Sequence, residues 1–289
     1  MNPRTQTARI ARSLRTLACC ALPVLWLAGC SFDTASSKTQ IRQSVEGAKS
    51  VVAATENGSV ELVQDASATT MQISADVRCT AATAAEAETR VKATKLVAER
   101  DASGNVRVGV EFPPRGTAAS FLNMGQSDSA RIVIRAATLE GIEVTTTNGS
   151  IDVGAFRGNA KLATSNGSIV IDGHAGPVEA RSSNGAIRAS GVLAPIVAET
   201  SNGRIEVSLA AAAQGDVHLE TSNGSVSLEL GESWQGTVSA DTSNGKVDLS
   251  GGDVVERVGS KRMTIGDAAK ANATIDTSNG RITVRAAKK

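Results

Sequence analysis

The sequence predicts an all-β protein: a repetitive β-solenoid or β-helix-like domain with one short helix near its N-terminal part. An antiparallel β-hairpin meander is the alternative. Three observations lead there. Asn-Gly pairs recur at 57, 148, 166, 184, 202, 223, 244 and 279, and from 148 the steps are 18, 18, 18, 21, 21 and 35 residues. Self-similarity at a near-fixed period marks stacked repeats. After most pairs polar and apolar residues alternate, the period of a strand with one buried face. Aromatics make up 2% of the chain and Tyr is absent, so the core is built from Val, Ile, Leu, Ala and Thr. The β-branched members of that set suit regularly stacked sheets.

The chain starts with a leader. Residues 1–15 carry Arg4, Arg9, Arg12 and Arg15 and no acid. Residues 16–28 are apolar but only 13 long, short of the roughly 20 that a membrane-spanning helix needs and right for a signal-peptide core. Leu27-Ala28-Gly29-Cys30 then resembles the lipobox of bacterial lipoproteins. That resemblance implies cleavage after residue 29 and acylation of Cys30, which anchors the chain in membrane lipid. Ser31, standing where an Asp would mean inner-membrane retention, points by the same resemblance to the outer membrane. The expected organisation is a signal peptide over 1–29, a polar tether over 30–48, an N-terminal capping part over 49–140 and the Asn-Gly repeats over 141–289.

In the capping part, 60–63, 71–77, 106–112 and 131–135 read as strands. Residues 81–94, rich in Ala with interleaved opposite charges, read as one helix. Pro113-Pro114 ends a strand, and 115–129 reads as a loop or insertion.

The repeat unit is clearest in Glu199-Thr200-Ser201-Asn202-Gly203-Arg204-Ile205-Glu206-Val207 and in the copies around Asn223-Gly224, Asn244-Gly245 and Asn279-Gly280. The pairs Asn148-Gly149, Asn166-Gly167 and Asn184-Gly185 belong to the same series. Asn-Gly supplies the positive φ angles of a tight turn. In a meander the pair is a two-residue hairpin turn that sets Thr146 against Ile151 and Val144 against Val153. In a solenoid it is a corner repeated on every rung. A hairpin needs only Asn-Gly, whereas stacking also rewards the repeated Thr and Ser, which favours the solenoid. The final gap of 35 holds an insertion or a degenerate copy.

The Asn57-Gly58-Ser59-Val60-Glu61-Leu62 start, the short helix, the strand ending at Pro113 and the serial Thr-Ser-Asn-Gly-x-Ile-x-Val units together resemble the DUF4097 family of β-strand-repeat proteins, which carry an adhesin label. The resemblance covers roughly residues 50–287 and implies an extracytoplasmic repeat domain without established catalysis. It carries over no binding residues.

No catalytic constellation is legible. Cys79 is the one cysteine after Cys30, so the mature chain forms no internal disulfide, and it reads as a small buried hydrophobe. His174 and His218 fall outside any zinc-binding spacing and read as ordinary exposed residues. The second position after each Gly-x holds Asp152, Val170, Arg188, Glu206, Ser227, Asp248 and Thr283. Stacked carboxylates there could bind calcium or act as an acid pair, but the row is interrupted and neutralised by nearby Arg204, Lys246 and Arg281, so it reads as a solvated face. No cofactor or metal is expected. The mature chain has 30 − 4 = 26 basic and 29 acidic residues, which excludes the basic footprint of a nucleic-acid binder. The expectation is a non-enzymatic envelope lipoprotein with an adhesin-like or scaffolding surface. Its partners would be membrane lipid through Cys30 and a glycan or an envelope protein. The alternatives are a carbohydrate-active or carbohydrate-binding β-helix protein and a regulatory lipoprotein that reports envelope stress to a protein partner.

Overall fold

The computed structural model describes residues 34–115, 127–193, 195–257 and 260–287. The leader and Cys30 lie outside them. The chain opens with β1 (Ala35–Val45), β2 (Ser50–Thr55), β3 (Val60–Gln64) and β4 (Met71–Ala81). Helix α1 (Ala84–Ala93) follows, then β5 (Lys95–Arg100), β6 (Asn105–Glu111) and β7 (Ser129–Ala136). Regular strand pairs come next: β8 (Gly141–Thr146) with β9 (Ile151–Val153), β10 (Asn159–Thr164) with β11 (Ile169–Asp172), and β12 (Val178–Ser182) with β13 (Ile187–Val192). They continue as β14 (Ile196–Thr200) with β15 (Ile205–Leu209) and β16 (Val217–Thr221) with β17 (Val226–Leu230). The chain closes with β18 (Gly236–Thr242), β19 (Val247–Ser250), a hairpin of β20 (Asp253–Arg257) and β21 (Ser260–Ile265), and the pair β22 (Asn272–Thr277) and β23 (Ile282–Ala286).

Each pair is one coil, giving a strand to each of two facing sheets. One sheet runs β1-β4-β7-β3-β9-β11-β13-β15-β17-β23-β19, the other β20-β21-β18-β22-β16-β14-β12-β10-β8-β2-β6-β5. Coils stack in parallel and in register: Leu162 lies between Val144 and Ala180, and Ile169 between Ile151 and Ile187. This is a solenoid and not a hairpin meander, because Val144 and Val153 sit in different sheets instead of facing each other across a turn.

The period-two pattern places every second side chain between the sheets. Ile151, Ile169, Ile187, Ile205, Val226 and Ile282 form one buried column. Full burial of such a side chain stabilises by about 1.5–3 kcal/mol. At the Asn-Gly corner the inward residue is polar: Thr146, Thr164, Ser182, Thr200, Thr221 and Thr277 are all buried. Each donates its hydroxyl to the carbonyl of the glycine one coil back, as Thr200 does to Gly185 at 3.1 Å and Thr221 to Gly203 at 3.0 Å. The repeated Thr thus satisfies a corner carbonyl that the strand ladders leave free.

The corner glycines differ from the tight-turn expectation. Gly149, Gly167, Gly185, Gly203, Gly224, Gly245 and Gly280 are not in the positive-φ region. The reason for glycine is close approach. A Cβ on Gly185 would overlap the carbonyl oxygen of Gly167, and each of the others meets the corner glycine of its neighbouring coil in the same way.

Both ends of the stack are laid down out of chain order. The coil β2–β3 is flanked by β8–β9 on one side and by β6–β7, formed later in the chain, on the other. At the far end β22–β23 slots between β16–β17 and β18–β19. The 35-residue gap is therefore an inserted antiparallel hairpin, β20–β21, whose Met263 is buried.

Residues 35–45, expected in the tether, instead form β1, antiparallel to β4. A polar strand carries no period-two signal, so the pairing with β4 and the packing of α1 and β5 against it order it. Helix α1 starts where Thr83 accepts from the Glu86 amide at 3.2 Å, the first half of a capping box. Ala87, Arg90 and Val91, at helical spacing, face inward. Arg90 binds Asp128 at 2.6 Å and the Pro113 carbonyl at 2.8 Å, tying the helix to both ends of the 115–129 segment.

Gly185→Ala is expected to destabilise the fold by about 3 kcal/mol, since the atom that the new methyl strikes is backbone. Gly109→Ala in β6 has only one neighbour, at 3.7 Å, and is expected to be nearly neutral. Urea unfolding of the two variants beside the wild type checks the contrast.

Candidate functional site

The stacked corners form a continuous outer edge. Asn148 donates from Nδ2 to Oδ1 of Asn57 at 2.9 Å, Asn166 to Asn148 at 2.8 Å, Asn184 to Asn166 at 2.9 Å and Asn202 to Asn184 at 3.0 Å. The ladder goes on from Asn223 to Asn202, Asn279 to Asn223 and Asn244 to Asn279, each at 3.0 Å. Backbone bonds run beside it, as from the Asn202 amide to the Ser183 carbonyl at 3.0 Å. All but Asn57 are exposed. Each amide spends one hydrogen and one lone pair on the ladder and keeps others free. The result is a row of identical donors and acceptors at the strand spacing of about 4.8 Å.

Beside this edge, on the outer face of the sheet that holds β8 to β18, lies a 450 Å³ groove lined by Thr145, Ser165, Arg181, Ser183, Glu199 and Ser201 among others. The position three before the Asn falls here for the coils up to Glu220 and continues as Asp276 and Asp241 in a second groove beside it. Along the stack it reads Arg181, Glu199, Glu220, Asp276 and Asp241. Arg181 holds Glu199 at 2.8 Å and also pairs with Glu179, and its bond lowers the Glu199 pKa. Burial, then the nearby Asp241, pushes the Asp276 carboxyl up. His218 is 3.7 Å from Glu220. This row is not among the sites expected from the sequence, although an acid three residues before Asn recurs at Glu199, Glu220, Asp241 and Asp276.

The row that the sequence analysis did weigh, Asp152, Val170, Arg188, Glu206, Ser227, Thr283 and Asp248 in stacking order, lies on the other sheet. Arg188 and Arg204 hold Glu206 at 2.7 and 3.0 Å, and Lys246 holds Asp248 at 3.0 Å. These bonds lower both carboxyl pKa values. Glu206 and Asp248 are thus engaged with cations, whereas burial, then the nearby Glu61, pushes the Asp152 carboxyl up. Among the described residues no group of three His, Cys, Asp or Glu side chains could hold a metal ion.

His174 corrects an expectation. It is fully buried, not exposed. It takes the corner position that Phe156 holds one coil back and Val192 one coil on, both also buried. Its Nε2 is 2.7 Å from the Gly158 carbonyl, and its Nδ1 is buried with no hydrogen-bond partner. Burial lowers its pKa. Cys79 is buried as expected, 3.7 Å from the Thr94 hydroxyl, and burial raises its pKa. Cys30 lies outside the described residues.

The comparisons can now be set beside this geometry. The model of a domain of unknown function, DUF7330, matches residues 142–288, more than half of the chain. The chain belongs to the DUF7330 family. No curated protein matches this DUF7330 chain. Among solved structures, a putative cell adhesion protein from Clostridium sporogenes is 14% identical over 87% of this chain and 100% of its own, with a TM-score of 0.36. A putative adhesin from Bacteroides fragilis is 10% identical over 86% and 97%, with a TM-score of 0.41. A putative lipid binding protein from Parabacteroides distasonis is 12% identical over 86% and 97%, with a TM-score of 0.28. Superpositions this loose carry no argument about the DUF7330 corner or its groove.

The lowered His174 pKa makes a pH signature. The unfolded chain takes up a proton as pH falls through about 6.5, while the buried imidazole resists until lower pH. The unfolded state then binds more protons, so stability falls as pH drops below about 6.5. His174→Phe, which copies the previous coil, should remove that part of the loss. Thermal melts of both proteins between pH 7.5 and 5 check it, and parallel profiles would count against it.

Proposed function

We propose that this chain is a cell-envelope lipoprotein, held in the outer membrane by an acylated Cys30, whose solenoid serves as a non-enzymatic adhesion or scaffolding surface. The observation that carries the reading is the asparagine edge: exposed, identical amides fixed rung after rung by their own hydrogen bonds. Recognition of an extended, repetitive partner uses like groups at a constant spacing. Catalysis uses unlike groups converging on one point. The DUF4097-like order of start motif, helix and serial repeats supports the same reading, and the leader with its lipobox supplies the anchor.

A second reading has its own observation. The groove beside the asparagine edge offers hydroxyls and carboxylates along several rungs, a lining that fits the hydroxyl-rich face of a polysaccharide. Here the protein is a carbohydrate-binding module on the same scaffold.

One experiment addresses both. A deletion strain is expected to lose surface or glycan attachment several-fold and to regain it from the wild-type gene. Cys30→Ala should abolish palmitate incorporation and fail to restore attachment. Full attachment by the deletion strain would reject the adhesion reading.

A further inference from the structure

Chain length and charge meet at the N-terminal end of the solenoid. Four residues, 31–34, separate Cys30 from β1. Fully extended, that stretch spans at most about 18 Å. What lies next to the start of β1 must therefore work close to whatever surface Cys30 is fixed in.

The outward face there is basic. Lys38 of β1 stands directly opposite Arg78 of β4, and both are exposed. Like charges directly opposite in an antiparallel pair oppose folding, so their pairing calls for an anionic counterpart. Arg42 lies further along β1, opposite Ser74, and Arg135 of β7 lies opposite Gln72. Among the described residues none of these four cations has a carboxylate within ion-pair distance. Arg131 is different, being held by Glu61 at 2.6 Å. Asp76 is the one acid on the outward face of the three strands, and it accepts a hydrogen bond from Gln40 at 2.8 Å. A 680 Å³ groove lined by Lys38, Arg78 and Arg131, and by Asp76, opens beside the strands. The mature chain as a whole is net acidic (26 − 29 = −3), so this face is a local excess. Further along the sheet acids follow, Glu61 on β3, held by Arg131, and Asp152 on β9.

We propose that the outward face of β1, β4 and β7 docks on an anionic phospholipid surface, the leaflet that holds the acyl chains of Cys30. The proposal rests on the lipoprotein reading. Attraction to anionic headgroups decays within a Debye length, about 10 Å. The short connection brings Lys38, three residues into β1, and Arg78 opposite it closest to that surface, with Arg42 about 14 Å further along the strand, and two signals together hold more firmly than acyl chains alone. The solenoid is then oriented on the membrane, with its asparagine edge at a fixed attitude.

The test uses the mature, lipidated protein in vesicles of phosphatidylcholine alone or with one part in about three of phosphatidylglycerol. Cys79 is buried, so an added thiol is labelled selectively by a charged maleimide. Ser74→Cys reports on the basic face and Thr274→Cys on the outer face of β22. On anionic vesicles Ser74→Cys is expected to label at least about tenfold more slowly than on neutral ones, and Thr274→Cys at an unchanged rate. Adding Lys38→Glu and Arg78→Glu, or high salt, should restore the Ser74→Cys rate. Equal rates on the two vesicles with an acylated chain overturn the docking alone. A chain found by mass spectrometry to carry no acyl group overturns the lipoprotein reading, and the docking falls with it.

Discussion

The fold depends on how closely one corner backbone approaches the next. At each Asn-Gly the glycine occupies space that the neighbouring glycine carbonyl would deny to any Cβ. This approach fixes the parallel register of both sheets at once, because each corner joins a strand of one sheet to a strand of the other. With register fixed, the other parts of the motif acquire their roles. The Thr hydroxyl reaches the glycine carbonyl one coil away, and the Asn amide reaches its counterpart. Each bond contributes only about 1 kcal/mol, but every coil repeats them, so the corner accumulates what no single turn could.

A stack of rungs has two open ends, and open strand edges invite aggregation. This chain closes both ends by doubling back. β6–β7, laid down after the interior coil β2–β3, caps the first end, and β18–β19, laid down before β22–β23 fills the position inside it, lies outside the last. Antiparallel strands then continue the sheets beyond the coils: β4 and β1 on one sheet, β5 on the other, and β21 and β20 at the far end. Lys38 and Arg42 on β1 and Lys95 and Arg100 on β5 place charge along those edges. An inserted coil is gripped on both faces by segments remote in sequence, which opposes fraying from the terminus.

Much of this was legible in the sequence because periodicity states burial directly. The strands around Asn148 to Asn223 follow from period two, and the helix from its Ala-rich run. The stacking order of the last copies did not follow. The segments after Asn244 and Asn279 carry equivalent inward residues, so nothing local says which lies beside β17, the segment after Asn223. β1 was missed for the opposite reason, since a polar strand ordered by its neighbours has no pattern of its own. His174 was missed although its signal was present: the 18-residue step that relates Asn148 to Asn166 also relates Phe156 to His174 and His174 to Val192. At the corner glycines the structure shows close approach instead of the positive φ expected of a tight turn. The acids before Asn were visible singly, but their adjacency depends on β22 entering between β16 and β18.

Charge is the feature that the repeat does not keep constant, and its distribution has a direction. Cations gather on β1, β4 and β7, whereas Glu199, Glu220, Asp276 and Asp241 lie toward the other end of the stack. From β7 to β15, in the coil that carries Glu199, there are five strand spacings along one sheet, and to β19 there are eight, about 24 to 38 Å. That is two Debye lengths or more, so a membrane at the basic end would repel the acidic row only weakly. The two ends can therefore face different surroundings, one a charged bilayer and the other solvent or a partner. A uniform solenoid would present the same edge in any attitude. One with unlike ends, if tied to a membrane at Cys30 as proposed, would present its asparagine edge in a defined direction.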